Sequence, residues 1–573
     1  MTDMRRTLLW VVFIMSLVLL WDGWNKHNGH PTMFGMPVAE TSTAAASAAA
    51  SSVAGAASVA AAGGVPATAG VPAAAAASAP SEQITVQTDV MKLTLDTLGA
   101  TVTRTELTRY QDSVDPSRPV VLFDQTGSRH YLAQTGFFNA AGGAPLPRHL
   151  SPFTVAPGER TLKDGANELS VRFESPEIGG AKLVKTYTFK RGEYTIGVKH
   201  ELTNVSDAPI TPKVYLQLLR DGNPPEGQST SYFSSTGFTY TGPAVYNDAS
   251  KFKKIEPAEI DKRGASPSKV EATTNEGWVA MIQHHFFSAW LLPAGKQREF
   301  VTNKIGNDYT VAMVQPLDTL QPGATVTHEA TLYAGPQDEK KLEAMEPGLE
   351  LVKDYGRVTI LAKPLFWLLD HLHTLLGNWG WSIIALVVLL KIAFYWLNAS
   401  AYKSQAKMKA VNPRIMEMRE RLKDKPQEMQ QEMMRIYREE KINPLGGCLP
   451  IVVQMPFFIA LYWVLLASVE MRGAPWLGWV TDLSQPDSLF GVFPLGDMPI
   501  GPLPILMTLS SLLQVALGPK APDPMQAKMM WLMPLMFSFM FFYFPSGLVL
   551  YWLTNNVLSI AQQWFINKRL GVA

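Results

Sequence analysis

The chain has 573 residues, 47% of them hydrophobic, and its 50 basic side chains nearly balance 49 acidic ones for a net charge of +1. So close a balance gives no electrostatic footprint for a nucleic-acid binder, and the single cysteine, Cys448, rules out an internal disulfide and any cysteine-built metal site. These averages look like an ordinary soluble protein only because they merge charged stretches with long windows that carry no charge.

Arg5 and Arg6 precede an apolar run from Leu8 to Trp21 that ends at Asp22. A cleaved secretory signal and a retained anchor both fit, and both leave the N-terminus cytoplasmic with the following chain exported. Trp21 and Trp24 supply interfacial aromatics and no small-residue cleavage pattern directly follows, which favours a transmembrane anchor over 1–24. Residues 25–81 are rich in Ala, Ser, Gly and Pro and hold nothing that could form a core, so they read as a flexible tether.

Over 82–335 the hydrophobic period becomes two. Leu183, Tyr187 and Phe189 alternate with polar residues, Arg191-Gly192-Glu193 turns the chain, and Tyr194, Ile196 and Val198 alternate on the return. With many turn signals, this predicts a large exported antiparallel β-sandwich. Its histidines, among them His130, His149, His200, His284 and His285, have neither metal-ligand nor triad spacing, so they read as ordinary surface or core residues. A sugar-binding groove on such a sandwich stays open.

Residues 336–378 read as a connecting helix and then an amphipathic one. There Leu365, Leu368, Leu369, Leu372, Leu375 and Leu376 recur opposite Asp370, His371 and His373. That segment is too short to span a bilayer, which favours an interfacial helix on the outer surface over a helix of a soluble domain.

Residues 379–573 hold five apolar windows, at 379–397, 450–469, 501–517, 529–544 and 548–566, with one charge among them, Lys391. An ammonium near mid-membrane costs about 2.5–3.5 kcal/mol on insertion scales. It is explained either by snorkelling to the headgroups, about 9 Å away, or by a polar cavity. Basic residues crowd the first connection between windows, recur in the third as Lys520 and Lys528, and end the chain as Lys568 and Arg569, so these parts are cytoplasmic and the C-terminus lies inside.

On that topology the polar residues fall in the cytoplasmic halves: Lys391, Tyr395, Asn398 and Tyr402 on the first window's helix, Gln454 on the second, and Ser510, Ser511 and Gln514 on the third. Asn555, Ser559, Gln562 and Gln563 follow on the last, while the outer halves are apolar. Recurrence over several helices favours a hydrophilic groove open to the cytoplasm. No Asp, Glu or His occurs in any window, which leaves no acid-base pair or proton relay, and no Gly-rich phosphate loop is present, so neither an enzyme nor a cofactor is expected.

Residues 399–447 predict a cytoplasmic helical hairpin. Asn412-Pro413 is expected to open its first helix, ending near Lys423, and Pro426 its second. The methionines Met416, Met418, Met429 and Met433, with Met408 and Met434, fit an adaptable surface for apolar partners or a small core of their own. Basic residues on the rim suit membrane lipids or ribosomal RNA.

Asn443-Pro444-Leu445-Gly446-Gly447-Cys448 followed by Pro450, Gln454, Met455 and Pro456, then Asp523-Pro524-Met525-Gln526, then Phe544-Pro545-Ser546-Gly547-Leu548 resemble the YidC membrane protein insertases of Gram-negative bacteria. The order of segments along the whole chain is similar as well. The resemblance implies a polytopic α-helical protein of the bacterial inner membrane, a five-helix core whose groove usually carries arginine where Lys391 stands, and a hairpin needed for insertion. It implies that Trp552 contacts substrate, that the spans holding Gln454 and Ser538 form an apolar slide, and that the partners are nascent membrane proteins, the SecYEG translocon and the ribosome with its targeting machinery. The rival reading is an anion or lipid transporter, or a scramblase, using the same cavity.

Overall fold

Strict alternation puts every second side chain on one face of a strand. In the computed structural model of the chain, Glu168–Glu174 and Ala181–Lys190 alternate between exposed and buried along their lengths. The structure describes residues 81–573 apart from 114, 128, 141–142, 226–238, 264–272, 424, 441–448, 494–497, 519–523 and 570–573. The anchor expected over 1–24, nearly all of the tether and the motif at 443–448 lie outside the described residues. Two compact units result, one holding the strands up to Gly335 and the other the helices from Pro336 onward.

The first unit contains two antiparallel nine-stranded sheets. One has the order β1 (Gln83–Gln87), β2 (Met91–Asp96), β3 (Thr101–Gln111), β5 (Tyr131–Asn139), β10 (Pro212–Asp221), β17 (Asp308–Pro316), β16 (Arg298–Ile305), β13 (Thr273–Thr274), with β4 (Pro119–Val121) beside β3. The other runs β12 (Lys251–Lys254), β11 (Gly242–Asn247), β14 (Trp278–Ile282), β15 (Phe286–Leu291), β18 (Thr325–Pro336), β9 (Thr195–Asn204), β8 (Ala181–Lys190), β7 (Glu168–Glu174), β6 (Thr154–Val155). The expected hairpin forms between β8 and β9, with Gly192 at φ 76° supplying the left-handed turn residue. A short helix, α1 (Pro257–Arg263), follows β12.

Side chains cross between the sheets and identify the unit as a sandwich: Trp290 Nε1 of β15 donates to Gln217 O of β10 (3.1 Å), and Tyr131 of β5 meets Ser288 of β15 (2.7 Å). A polar layer is also buried between them. Lys185 Nζ donates to the carbonyls of Gly99 (2.7 Å) and Thr135 (2.9 Å), His200 Nε2 meets Thr135 Oγ1 (2.9 Å), and His328 Nε2 meets Gln315 Oε1 (2.9 Å). His149 is paired through Nδ1 with the Tyr215 hydroxyl. Burial disfavours the charged form of each: His149 and His328 are pushed down to about 4, His200 well below the usual histidine value, and Lys185 to about 7.

The sign of the consequence follows from linkage. Below about pH 6.5 the unfolded histidines bind protons that the folded ones refuse until about pH 4, so stability present above pH 6.5 is lost as pH falls through that window. At pH 5 the loss is about 2 kcal/mol for each of His149 and His328. Lys185 adds a slope of the same sign above pH 7. Calorimetry on the full chain is expected to lower the sandwich's transition by several degrees between about pH 7.5 and pH 5; a transition that stays put would sink this account.

The second unit begins with α2 (Glu339–Met345) and α3 (Thr359–Leu376), then α4 (Trp379–Ala393) and α5 (Tyr395–Arg421). α6 (Pro426–Glu439), α7 (Leu449–Ala467), α8 (Pro502–Leu517), α9 (Pro524–Phe541) and α10 (Ser546–Arg569) complete it. Leu369 of α3, Ile383 and Leu386 of α4, Val464 of α7, Leu503 and Met507 of α8 and Leu548 and Val549 of α10 share one apolar core. Of the leucines expected on one face of α3, Leu365 and Leu369 are buried and Leu368 and Leu372 pack partly buried against the core, whereas Leu375 and Leu376 are exposed, as are Ile360 and Trp367.

Two expectations are corrected. The helix from Trp379 to Tyr402 is not continuous: α4 and α5 meet at 69° around Phe394, whose ring packs edge-on against Phe457 of α7 at 5.1 Å. Asn412-Pro413 does not open the hairpin's first helix, because α5 runs through both residues to Arg421. A proline there forgoes its bond to the carbonyl of Lys409 and is tolerated inside a long helix. Pro426 opens the second helix as expected. Among the described residues no single helix is long and apolar enough to cross a membrane; the bent pair α4 and α5 is, by length and composition, when taken together.

Candidate functional site

The only charge in the five windows finds its partner on the last helix. Lys391 Nζ donates to Ser559 Oγ at 2.7 Å, and that hydroxyl donates to Asn555 O one turn earlier at 2.7 Å. Spacing of four residues within α10 brings Asn555 and Ser559 to one face, which meets the last turn of α4. On α7, Gln454 Nε2 donates to Asn398 Oδ1 of α5 at 2.7 Å. Asn398 Nδ2 and Gln562 Nε2 are buried and have no hydrogen-bond partner among the described residues. These side chains offer several donors, and the five windows hold no carboxylate, a combination that suits groups that accept hydrogen bonds and carry negative charge.

The bend at Phe394 redistributes the expected stripe. Helical stepping from Lys391 through Tyr395 to Asn398 and Tyr402 presumes a straight axis. Tyr395 instead stands exposed with its ring beside Trp396 (6.1 Å), while Asn398 and Tyr402 turn inward and are buried. Gln514 is half-buried on α8, its carbonyl accepting from the Gly518 N–H.

Ser511 belongs to a second polar cluster that the sequence reading missed in part. Asn556 Nδ2 donates to Ser510 Oγ (3.0 Å) and Ser511 Oγ (2.9 Å), and Gln563 Nε2 to Leu517 O (3.3 Å), stitching α10 to α8. The stripe Asn556–Gln563 has the same helical spacing as Asn555–Gln562. Adjacent to a residue of the same type, Asn556 could have been found by asking which face of the last helix meets the third window.

Trp552 lies two turns from Ser559 toward the N-terminus of α10, edge-on to Phe458 of α7 (4.6 Å) and tilted against Phe541 of α9 (4.9 Å). Tyr462 and Phe544 pack nearby with tilted rings (5.8 Å). Along α10, then, aromatic packing gives way to hydrogen-bonded polar groups. In the hairpin, Ile415, Met418 and Ile436 form a small core with Met429 and Met433 against it, so these three methionines pack inward. Met416 and Met434 are half-exposed.

Residues 83–368 match the model of the YidC periplasmic domain, and residues 371–572 that of the 60Kd inner membrane protein. The chain is 49% identical over 576 residues to the membrane protein insertase YidC of Janthinobacterium sp. (strain Marseille), covering 100% of both. It is 52% identical over 572 residues to the protein of the same description from Cupriavidus necator, covering 99% of this chain and 98% of the relative. A solved active YidC insertase with its first transmembrane domain resolved is similar at 17% identity and TM-score 0.38, covering 84% of this chain and 91% of that one.

Proposed function

The chain belongs to the YidC family of membrane protein insertases, and from that premise we propose that it inserts and helps fold inner-membrane proteins through a cytoplasm-open groove centred on Lys391. The observation that carries the reading is the Lys391–Ser559 bond, a cation held by a hydroxyl with no carboxylate paired to it among the described residues. The family's activity is non-enzymatic, and nothing in the mechanism requires a nucleotide.

In this proposal α4 with the start of α5, and α7, α8, α9 and α10, span the inner membrane. The anchor at 1–24 joins them, the sandwich at 82–335 is periplasmic, α3 lies in the outer interface within 336–378, and the hairpin at 399–447 and both termini are cytoplasmic. A substrate's acidic flank enters the groove, drawn by the Lys391 ammonium, and the amide groups of Asn398, Gln454 and Gln562 replace part of its lost hydration. Helix α8, at 16 residues, is about 24 Å long against a hydrocarbon core of about 30 Å. The barrier to the flank's crossing is correspondingly thin. The hydrophobic segment leaves sideways into lipid past Trp552, driven by burial of apolar surface.

The exposed Met416 and Met434 offer adaptable contacts to a nascent chain. The hairpin's basic rim suits lipid headgroups and the ribosome with its targeting machinery, and the SecYEG translocon is the proposed partner for larger substrates.

The rival, an anion or lipid transporter or scramblase, would use the same ammonium. A photoreactive residue at Trp552 in translating membranes separates the two: capture of nascent chains is expected, and capture of lipid or small solute alone refutes the insertase groove.

A further inference from the structure

The connection between α7 and α8 carries an apolar feature that insertion does not use. Between Asp487 and Asp497 the sequence holds no charge, and Leu489 (54%), Phe490 (65%), Val492 (56%) and Phe493 (48%) are exposed side by side. Single exposed apolar side chains are ordinary, but four large ones in five residues are not.

Part of the backbone there is paired within the segment itself. Val492 and Phe493 form β19 (Val492–Phe493), paired in register with Pro499 and Met498 of β20 (Met498–Pro499). The Phe490 N–H donates to Ile500 O (2.9 Å), the Ile500 N–H to Gly491 O (2.9 Å) and the Gly491 N–H to Ser488 O (2.8 Å). Gly491 takes φ 92°, open to glycine at little cost. Buried Asp487 fixes the base, accepting from the Leu503 N–H (2.8 Å) at the start of α8 and from Trp479 Nε1 (3.1 Å). These bonds pair part of the described backbone of the connection within itself, which lowers the cost of placing it at the edge of a bilayer.

We propose that this segment lies at the outer interface of the bilayer, its backbone at headgroup level and the side chains of Leu489, Phe490, Val492 and Phe493 reaching among lipid acyl chains. The inference rests on the membrane-spanning reading of the helical unit and adds a contact to it. Lipid is the occupant because the segment is tied by Asp487 to the start of α8, the helix whose Ile505, Leu506, Leu509 and Leu513 are exposed along one face and face lipid in the membrane-spanning reading. At 16 residues α8 is short for the hydrocarbon core, and the hairpin extends the apolar surface at its outer end.

The test uses the full chain carrying Cys448→Ser, with single cysteines labelled by an environment-sensitive fluorophore and reconstituted in phosphatidylethanolamine and phosphatidylglycerol vesicles. Phe490→Cys is compared with Thr481→Cys, exposed on the same connection, and with Met536→Cys, exposed on α9. Iodide is present on both sides, and a lipid nitroxide near the glycerol end of the chain is added separately. The label at 490 is expected to lose most of its emission to the lipid nitroxide, as at 536, and to be quenched by iodide several-fold less than at 481. Quenching by iodide as strong as at 481 overturns the assignment, and so does shielding from both quenchers, which means protein covers the loop. If the label at 536 also escapes the lipid nitroxide, the membrane-spanning reading itself is wrong and the hairpin's assignment falls with it; if only 490 escapes, the hairpin alone is misassigned.

Discussion

Cells that depend on this chain are expected to stop inserting small substrates with an acidic external flank when Lys391 is replaced by alanine or glutamate, and to continue when it is replaced by arginine. The Lys391 ammonium reaches Ser559 Oγ at 2.7 Å and has no acidic neighbour in the five windows. Alanine removes the one full charge an incoming carboxylate can meet. A hydrogen bond to a charged group is worth about 1.5–3 kcal/mol net, so if flank entry limits the rate, insertion falls roughly 10- to 100-fold. Glutamate does worse, because attraction becomes repulsion in a medium of low dielectric. Arginine keeps the charge while changing its geometry to a planar fork, so its success assigns the role to charge rather than to one bond. The measurement is protease protection of the substrate's flank after depletion of the native protein, with chain levels matched by immunoblot. Insertion by the alanine variant at the native rate would remove Lys391 from the mechanism and leave the work to the neutral amides and the apolar path.

Much of this site was legible because a membrane magnifies polarity. Lys391 stood out as the one charge in five apolar windows, and Ser559 was reachable by counting helical turns along the last of them. The sandwich was legible for a related reason: one buried and one wet face per sheet impose a period of two, as on β7 and β8. What escaped was decided by tertiary contact. Nothing between Lys391 and Asn398 breaks a helix by composition, since neither proline nor glycine occurs there, yet α4 and α5 part at Phe394 and Tyr395 is carried outward. Asn555 and Asn556 are the same residue type in adjacent places, and only the position of α8 makes Asn556 the side chain that binds Ser510 and Ser511. The hairpin's methionines divide likewise, since their type does not say which face of α6 meets α5. Pro413 lies inside α5; a proline signals a helix start only where the chain before it is not already helical.

Lys353 presents the second large expected effect. Its side chain is 0% exposed, with Nζ 3.1 Å from each carboxylate oxygen of Glu470, 4.0 Å from Glu339 Oε2 and 3.7 Å from the centre of the Phe366 ring. The Tyr355 hydroxyl donates to Glu339 Oε2 at 2.5 Å. Glu339 begins α2, Lys353 follows the 3-10 turn Leu349–Val352, and Glu470 lies in the turn Val469–Met471 after α7. One ammonium therefore fastens the segment preceding α3 to the end of α7. Burial raises the Glu470 carboxyl and the Lys353 ammonium opposes that rise. Lys353→Met leaves the largely buried Glu470 without its counter-charge, while Glu339 keeps Lys363 at 3.9 Å, and is expected to cost about 3 kcal/mol, the lower end of the usual loss when one partner of a buried pair is removed. The double variant Lys353→Met with Glu470→Leu is expected to recover part of that loss, because apolar replacement of a whole pair is often neutral. Thermal unfolding in lipid nanodiscs, read as a double-mutant cycle, gives the answer. Additive losses would mean that the two side chains do not act on each other, and that packing against Phe366 alone holds Lys353 in place.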